Sequence, residues 1–169
     1  MMNPQDDTIH PPARRTLLDA LATATLALAG IALVVMSLVQ AWQVYARYVL
    51  NSSPGWTEPV ALLFMSLAVM FGAAIAVRNE AHFAFPTLVE NSPPPMRRAL
   101  KAFARLVAVA AGLGLMVMGG YMMVDDWGVA MPGAPLPAGL KFLALFVGGA
   151  LIAIFAVERL LKGDVEPAE

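Results

Sequence analysis

No cysteine occurs in the 169 residues of this chain, and histidine occurs only at His10 and His82. The first absence excludes disulfides, thiolate metal sites and cysteine nucleophiles. The second leaves a poor metal-ligand set, because two distant histidines without thiolates do not close a tetrahedral site. Charge is scarce as well. Charged residues make up 14% of the chain, against about 25% in an ordinary soluble domain. The formal net charge is only -1, and the basic residues sit at the ends of apolar runs, so nothing points to a nucleic-acid partner. There is no glycine-rich phosphate loop, no paired-histidine haem pattern and no Ser-His-Asp arrangement with helical spacing. Cofactors are therefore not expected, and neither is enzymatic activity.

What the chain does have is apolar length. Between Asp19 and Arg47 lie 27 uncharged residues, between Glu58 and Arg78 another 19, and between Arg105 and Asp125 another 19. A fourth run of 16 separates Lys141 from Glu158, with uncharged residues continuing upstream. About 20 mostly apolar residues cross the ~30 Å hydrocarbon core as a helix. The expected fold class is thus an all-α integral membrane protein with four transmembrane helices, near 17–46, 57–77, 95–124 and 137–160. These fill a single domain over 16–161, between tails at 1–15 and 162–169. The first run is too long for the ~7–15-residue core of a cleaved export signal, so it reads as a retained helix. Its uncharged residues would span about 40 Å, so it must tilt or project. Trp42, Tyr45 and Tyr48 near its end suit a membrane–water interface.

Of the 11 Lys and Arg residues, all but Arg47 and Lys141 fall on one side of this four-span arrangement. Positive charge favours the cytoplasmic side. Both termini are therefore expected to be cytoplasmic. The stretch after Arg78, with Phe83, Phe85, Leu88 and Val89, is too short to span and reads as an interfacial segment between helices two and three. The start of helix three is amphipathic, with Met96, Ala99, Leu100 and Phe103 opposite Arg97, Arg98, Lys101 and Arg105. Those cations are either a solvated, snorkelling rim or a specific contact to lipid headgroups. Thr57 is the expected N-cap of helix two, and Asp125-Asp126 reads as a solvated helix end.

Serine and threonine are few inside the spans: Thr23, Thr25 and Ser37 in the first, Ser66 in the second. Ion and solute paths generally leave ionisable or clustered polar groups at mid-depth. Small residues recur as Ala68, Gly72 and Ala76 in helix two and as Ala104, Ala108 and Gly112 in helix three. Such stripes let helix backbones approach, within the chain or against a partner. Gly119-Gly120 could break helix three. A self-assembling channel or small transporter is the first rival reading. An integral membrane enzyme is the second.

The remaining landmarks are Arg47-Tyr48-Val49-Leu50-Asn51, then Trp56-Thr57-Glu58, then Gly72-Ala73-Ala74 leading to Arg78 and His82. In this order they resemble the small membrane subunit of tripartite ATP-independent periplasmic (TRAP) transporters, the DctQ family. That family looks like R-Y-x-x-N, then W-x-E, then small residues followed by R-x-x-x-H. Two departures stand out: Pro59, where a second acidic residue is frequent, and Phe85-Pro86, where a valine-aspartate pair is. The resemblance implies a scaffold subunit of a sodium-coupled transporter for organic acids. It implies two partners, a large membrane subunit that carries the substrate and a periplasmic substrate-binding protein. It also marks Arg47, Tyr48, Asn51, Trp56, Glu58, Arg78 and His82 as residues of the subunit interface. Arg47 and Glu58 flank one short turn, where they either meet across it or stand as two separately solvated interface charges. Arg78 and His82 would share a helix face if helix two ran that far.

Overall fold

A computed structural model describes residues 17–52, 54–79 and 93–162. His82 and the expected interfacial segment lie outside these residues, as do both tails.

The apolar runs form four long helices: α1 (Leu17–Tyr48), α2 (Thr57–Arg78), α3 (Pro94–Asp125) and α4 (Leu143–Lys162). Each is long and apolar enough to cross a membrane. Two short 3-10 turns, Asp126–Gly128 and Ala138–Phe142, carry the chain from α3 into α4. The helices pack in the spatial order α1, α2, α4, α3, so α4 sits between its two neighbours and is the most buried span. Phe71, Ala74 and Val77 of α2 meet Leu151, Ile152, Phe155 and Ala156 of α4 in the core, with Ala22 of α1 and Ala108 of α3 at its edges.

Small residues make this packing possible. Lipid supplies no hydrophobic drive for helices to associate, so close van der Waals contact must hold them. A Cβ on Gly112 would lie 2.7 Å from the Ala153 backbone nitrogen, and one on Gly149 would lie 2.6 Å from that of Met116. Gly148 opposes the Met70 side chain in the same way. The two small-residue stripes behave differently. In α3, Ala108 and Gly112 are buried against the bundle. In α2, Gly72 is exposed, and a Cβ there would meet nothing within 4 Å.

Three local expectations are corrected. Helix α3 runs unbroken through Gly119-Gly120, because Gly119 is a contact point against Leu145 and Phe146 of α4. Thr57 does not cap α2. It is fully buried as the first helical residue, and its hydroxyl donates to the Pro54 carbonyl at 2.8 Å. The pair Asp125-Asp126 is more than a solvated end, since Asp126 makes an ion pair with Lys141 at 2.8 Å. That bond ties the exit of α3 to the entry of α4. Between them, Met131, Ala134 and Ala138 form a small core of their own. Gly133, at φ +82°, lets this loop touch the backbone of Gly55 in the α1–α2 loop.

Gly149→Leu is expected to destabilise the chain by about 1–3 kcal/mol or more, since only backbone could yield. Gly72→Ala should stabilise it by up to ~1 kcal/mol through helix propensity alone. Reversible unfolding in mixed micelles measures both, and equal effects would contradict this packing.

Candidate functional site

The spans keep their polar chemistry at the two ends. At one end three helices converge on Arg78, the last residue of α2. Its Nη2 donates to Asp19 Oδ1 of α1 at 2.5 Å, and its Nε donates to Glu158 Oε2 of α4 at 3.1 Å. Nη2 also reaches Glu158 Oε1 at 3.3 Å, so the guanidinium grips that carboxylate with two nitrogens. Lys162 Nζ donates to Glu158 Oε1 at 2.5 Å. The Arg159 Nε donates to the Arg78 carbonyl, satisfying an acceptor that the end of α2 leaves open. The Arg78 guanidinium also stands 5.6 Å from the centre of the buried Phe155 ring.

Burial is uneven across this cluster. The Glu158 side chain is 4% exposed, that of Arg78 17% and that of Asp19 44%. A buried carboxylate is tolerated only when paired and hydrogen-bonded, and Glu158 is both. Arg78 and Lys162 offset Asp19 and Glu158, and Arg159 adds one further positive charge at this end of the bundle. The resemblance marks Arg78 as a subunit-interface residue; within the chain its guanidinium binds Asp19 and Glu158. Asp19, Glu158 and Lys162 were not foreseen as its partners. The signal was available: Asp19 and Glu158 each bound an apolar run at the end where Arg78 bounds another.

The opposite end carries the other motif residues. Arg47, Tyr48, Trp56 and Glu58 are all exposed. No ion pair joins Arg47 to Glu58 among the described residues, so the contact across the turn does not form. Exposed charges gain little from such pairing, on the order of 0–1 kcal/mol. Asn51 has a different task. Its φ of 52° is left-handed, a conformation asparagine adopts more readily than most residues. The chain reverses there, and the Ser52 N–H reaches back to the Ala46 carbonyl at 3.1 Å. Trp42 and Tyr45 stack at a 5.9 Å centroid distance on the exposed end of α1.

Within the spans the hydroxyls of Thr23, Thr25, Ser37 and Ser66 donate their protons inside their own helices, each to the carbonyl four residues earlier, at 2.8–2.9 Å. No group of three metal-ligating side chains occurs among the described residues.

These features define a multi-pass membrane protein whose charged groups cluster at the two ends of its spans. Residues 36–165 match the family of tripartite ATP-independent periplasmic transporters, DctQ component, and the chain belongs to that family. A Haemophilus influenzae protein named as a TRAP transporter small permease is 28% identical over 132 residues, which cover 77% of this chain and 81% of that protein. The sialic acid TRAP transporter small permease protein SiaQ of Vibrio cholerae is 28% identical over 83 residues, which cover 49% of this chain and 47% of its own.

Removing the buried charge should cost far more than removing the exposed one. Glu158→Gln is expected to destabilise the chain by about 3 kcal/mol, because it removes the buried charge between Arg78 and Lys162 and leaves Arg78 paired with Asp19 alone. Asp19→Asn should cost under ~1 kcal/mol. Unfolding in mixed micelles gives both values, and the reverse order would show that Glu158 is not the anchor.

Proposed function

We propose that this chain is the small scaffold subunit of a sodium-coupled TRAP-type secondary transporter for organic acids. It supports a large membrane subunit that carries the substrate, and a periplasmic substrate-binding protein delivers that substrate. It performs no enzymatic reaction itself. It lies in the bacterial inner membrane with both termini cytoplasmic, and Arg78, Glu158 and Lys162 mark the cytoplasmic rim. Arg47, Tyr48, Trp56 and Glu58 then lie on the periplasmic rim, exposed and open to contact with a partner.

One observation carries the scaffold reading. Every hydroxyl of the span residues Thr23, Thr25, Ser37 and Ser66 is committed to its own helix backbone. A path for a hydrophilic solute or ion needs polar groups at mid-depth that can bind it. The four hydroxyls serve as local backbone acceptors' partners instead, which suits a rigid support. An acidic cargo agrees with the sialic acid named for the Vibrio cholerae relative.

Two measurements test this. The chain alone in liposomes should take up no organic acid under a sodium gradient, whereas its complex with the large subunit and binding protein should. Uptake by the single chain would sink the scaffold reading. For orientation, the absence of native cysteine allows single-cysteine labelling without background. Cysteines at Ser52 and at the unobstructed Gly128 should label from the periplasm, and one at the exposed Ala99 should not. Periplasmic labelling at Ala99 would invert the topology.

A further inference from the structure

Helix α3 stands at one end of the row of helices and packs chiefly on α4. Its seam against α4 is built from small residues, Ala108, Gly112 and Gly119. The opposite face is built from large ones. Leu106, Leu113, Val117, Tyr121 and Val124 recur at helical spacing, so they form one strip. All five are exposed, and Ala110 is the one small residue among them. Helices that meet in lipid do so through small residues. A strip of large apolar side chains suits acyl chains instead.

The exposed apolar surface does not stop where the helix does. The 19 uncharged residues between Arg105 and Asp125 make a helix of about 30 Å, one hydrocarbon thickness. Trp127 follows at once, 52% exposed, with Val129, 55% exposed, just beyond it. Both stand where the headgroup layer begins, the depth that tryptophan favours. No residue from Trp127 to Leu140 is charged. The charges that bound this stretch, Asp126 and Lys141, pair with each other. A soluble protein could reach only the outer end of this surface, whereas acyl chains and headgroups together cover all of it.

The stretch is a folded hairpin. Ala130 bridges Pro137, the Met131 N–H donates to the Leu136 carbonyl, and the Ala138 N–H donates to the Val129 carbonyl, both bonds at 2.8 Å. Pro132, Pro135 and Pro137 carry no N–H at all. These bonds and prolines reduce the backbone groups that call for water, as a segment near hydrocarbon requires. The hairpin also lies down. Gly139 presses on the Met123 carbonyl in the last turn of α3, and Gly133 at the tip touches Gly55, two residues before α2 begins. Base and tip are thus level with helix ends. The hairpin stays within a headgroup layer of about 5–8 Å and does not rise into water.

We propose that the hairpin between α3 and α4 is a membrane-interface anchor, with Trp127 and Val129 seated among the phospholipid headgroups of the leaflet farther from Arg78. The inference needs only that α3 spans the bilayer, and it stands apart from the transport reading. The chain has three tryptophans, so Trp42→Phe with Trp56→Phe leaves Trp127 alone to report. The full chain carrying both changes is reconstituted in phosphatidylcholine vesicles with brominated acyl chains. Bromine near the glycerol end of the chains should quench the emission more than bromine near the methyl end. Acrylamide should quench it several-fold less than it quenches tryptophanamide. Acrylamide quenching as strong as for tryptophanamide, with no response to bromine, would place the hairpin in water and overturn the anchor. Bromine quenching that disappears at high protein-to-lipid ratio, or on adding the large membrane subunit, would show that protein covers this surface and would overturn the lipid assignment. Circular dichroism checks the fold of the double variant. Should it unfold, a nitroxide on Val129→Cys in the otherwise native, cysteine-free chain decides the question. Faster relaxation by oxygen than by a water-soluble nickel chelate supports the anchor, and the reverse order overturns it.

Discussion

The close backbone contact between α3 and α4 at Gly112 and Gly149 is the constraint on which the rest of the structure depends. A membrane helix gains nothing by hiding leucine from lipid, so its partners must be held by contacts that lipid cannot match. At this crossing the gap left by two missing side chains is filled by the opposing backbone. The contact repeats at Gly119 against Phe146, and on the other side of α4 at Gly148 against Met70. With α4 held on both sides, its last turns are placed beside the end of α2. Only then can Glu158 meet Arg78 and leave its carboxylate almost wholly buried.

The charge cluster adds what small residues cannot. Helices packed on glycine and alanine can slide along one another at little cost. A two-nitrogen grip between Arg78 and Glu158 has one register, and the Asp19 contact extends that register to α1. The Lys141–Asp126 pair and the Gly55–Gly133 approach do the same at the opposite end. The spans are thus pinned at both ends and packed through the middle. Such a body suits a static support, because sliding would break paired charges at two levels.

The four helices were legible in the chain because their signal is coarse. A run of some 20 uncharged apolar residues has few alternatives to a membrane helix. Details that depend on a neighbour were not legible. Gly119-Gly120 looks like a weak point in an isolated sequence and is a contact once α4 is beside it. Thr57 has the composition of a cap, but its burial directs the hydroxyl back to Pro54. The roles of the motif residues were the least legible part. Asn51 supports a left-handed turn, and Arg78 joins three helices of its own chain. The first is a local backbone role and the second needs partners 59 and 80 residues away, so the motif's spacing announces neither.

The division between the two ends follows from these assignments. On the rim that holds Arg78, the charges of Asp19, Glu158 and Lys162 are consumed internally, so that rim offers a partner little from this cluster. On the opposite rim, Arg47, Tyr48, Trp56 and Glu58 remain exposed and make no ion pair with one another. Exposed aromatic and charged side chains grouped on one rim carry more recognition potential than charges paired within the chain do. The asymmetry extends into the spans. Gly72, on the exposed side of α2, carries the helix cost of glycine with no neighbour among the described residues to justify it. Gly72 thus differs from Gly112 and Gly149, whose missing side chains set the approach of α3 to α4.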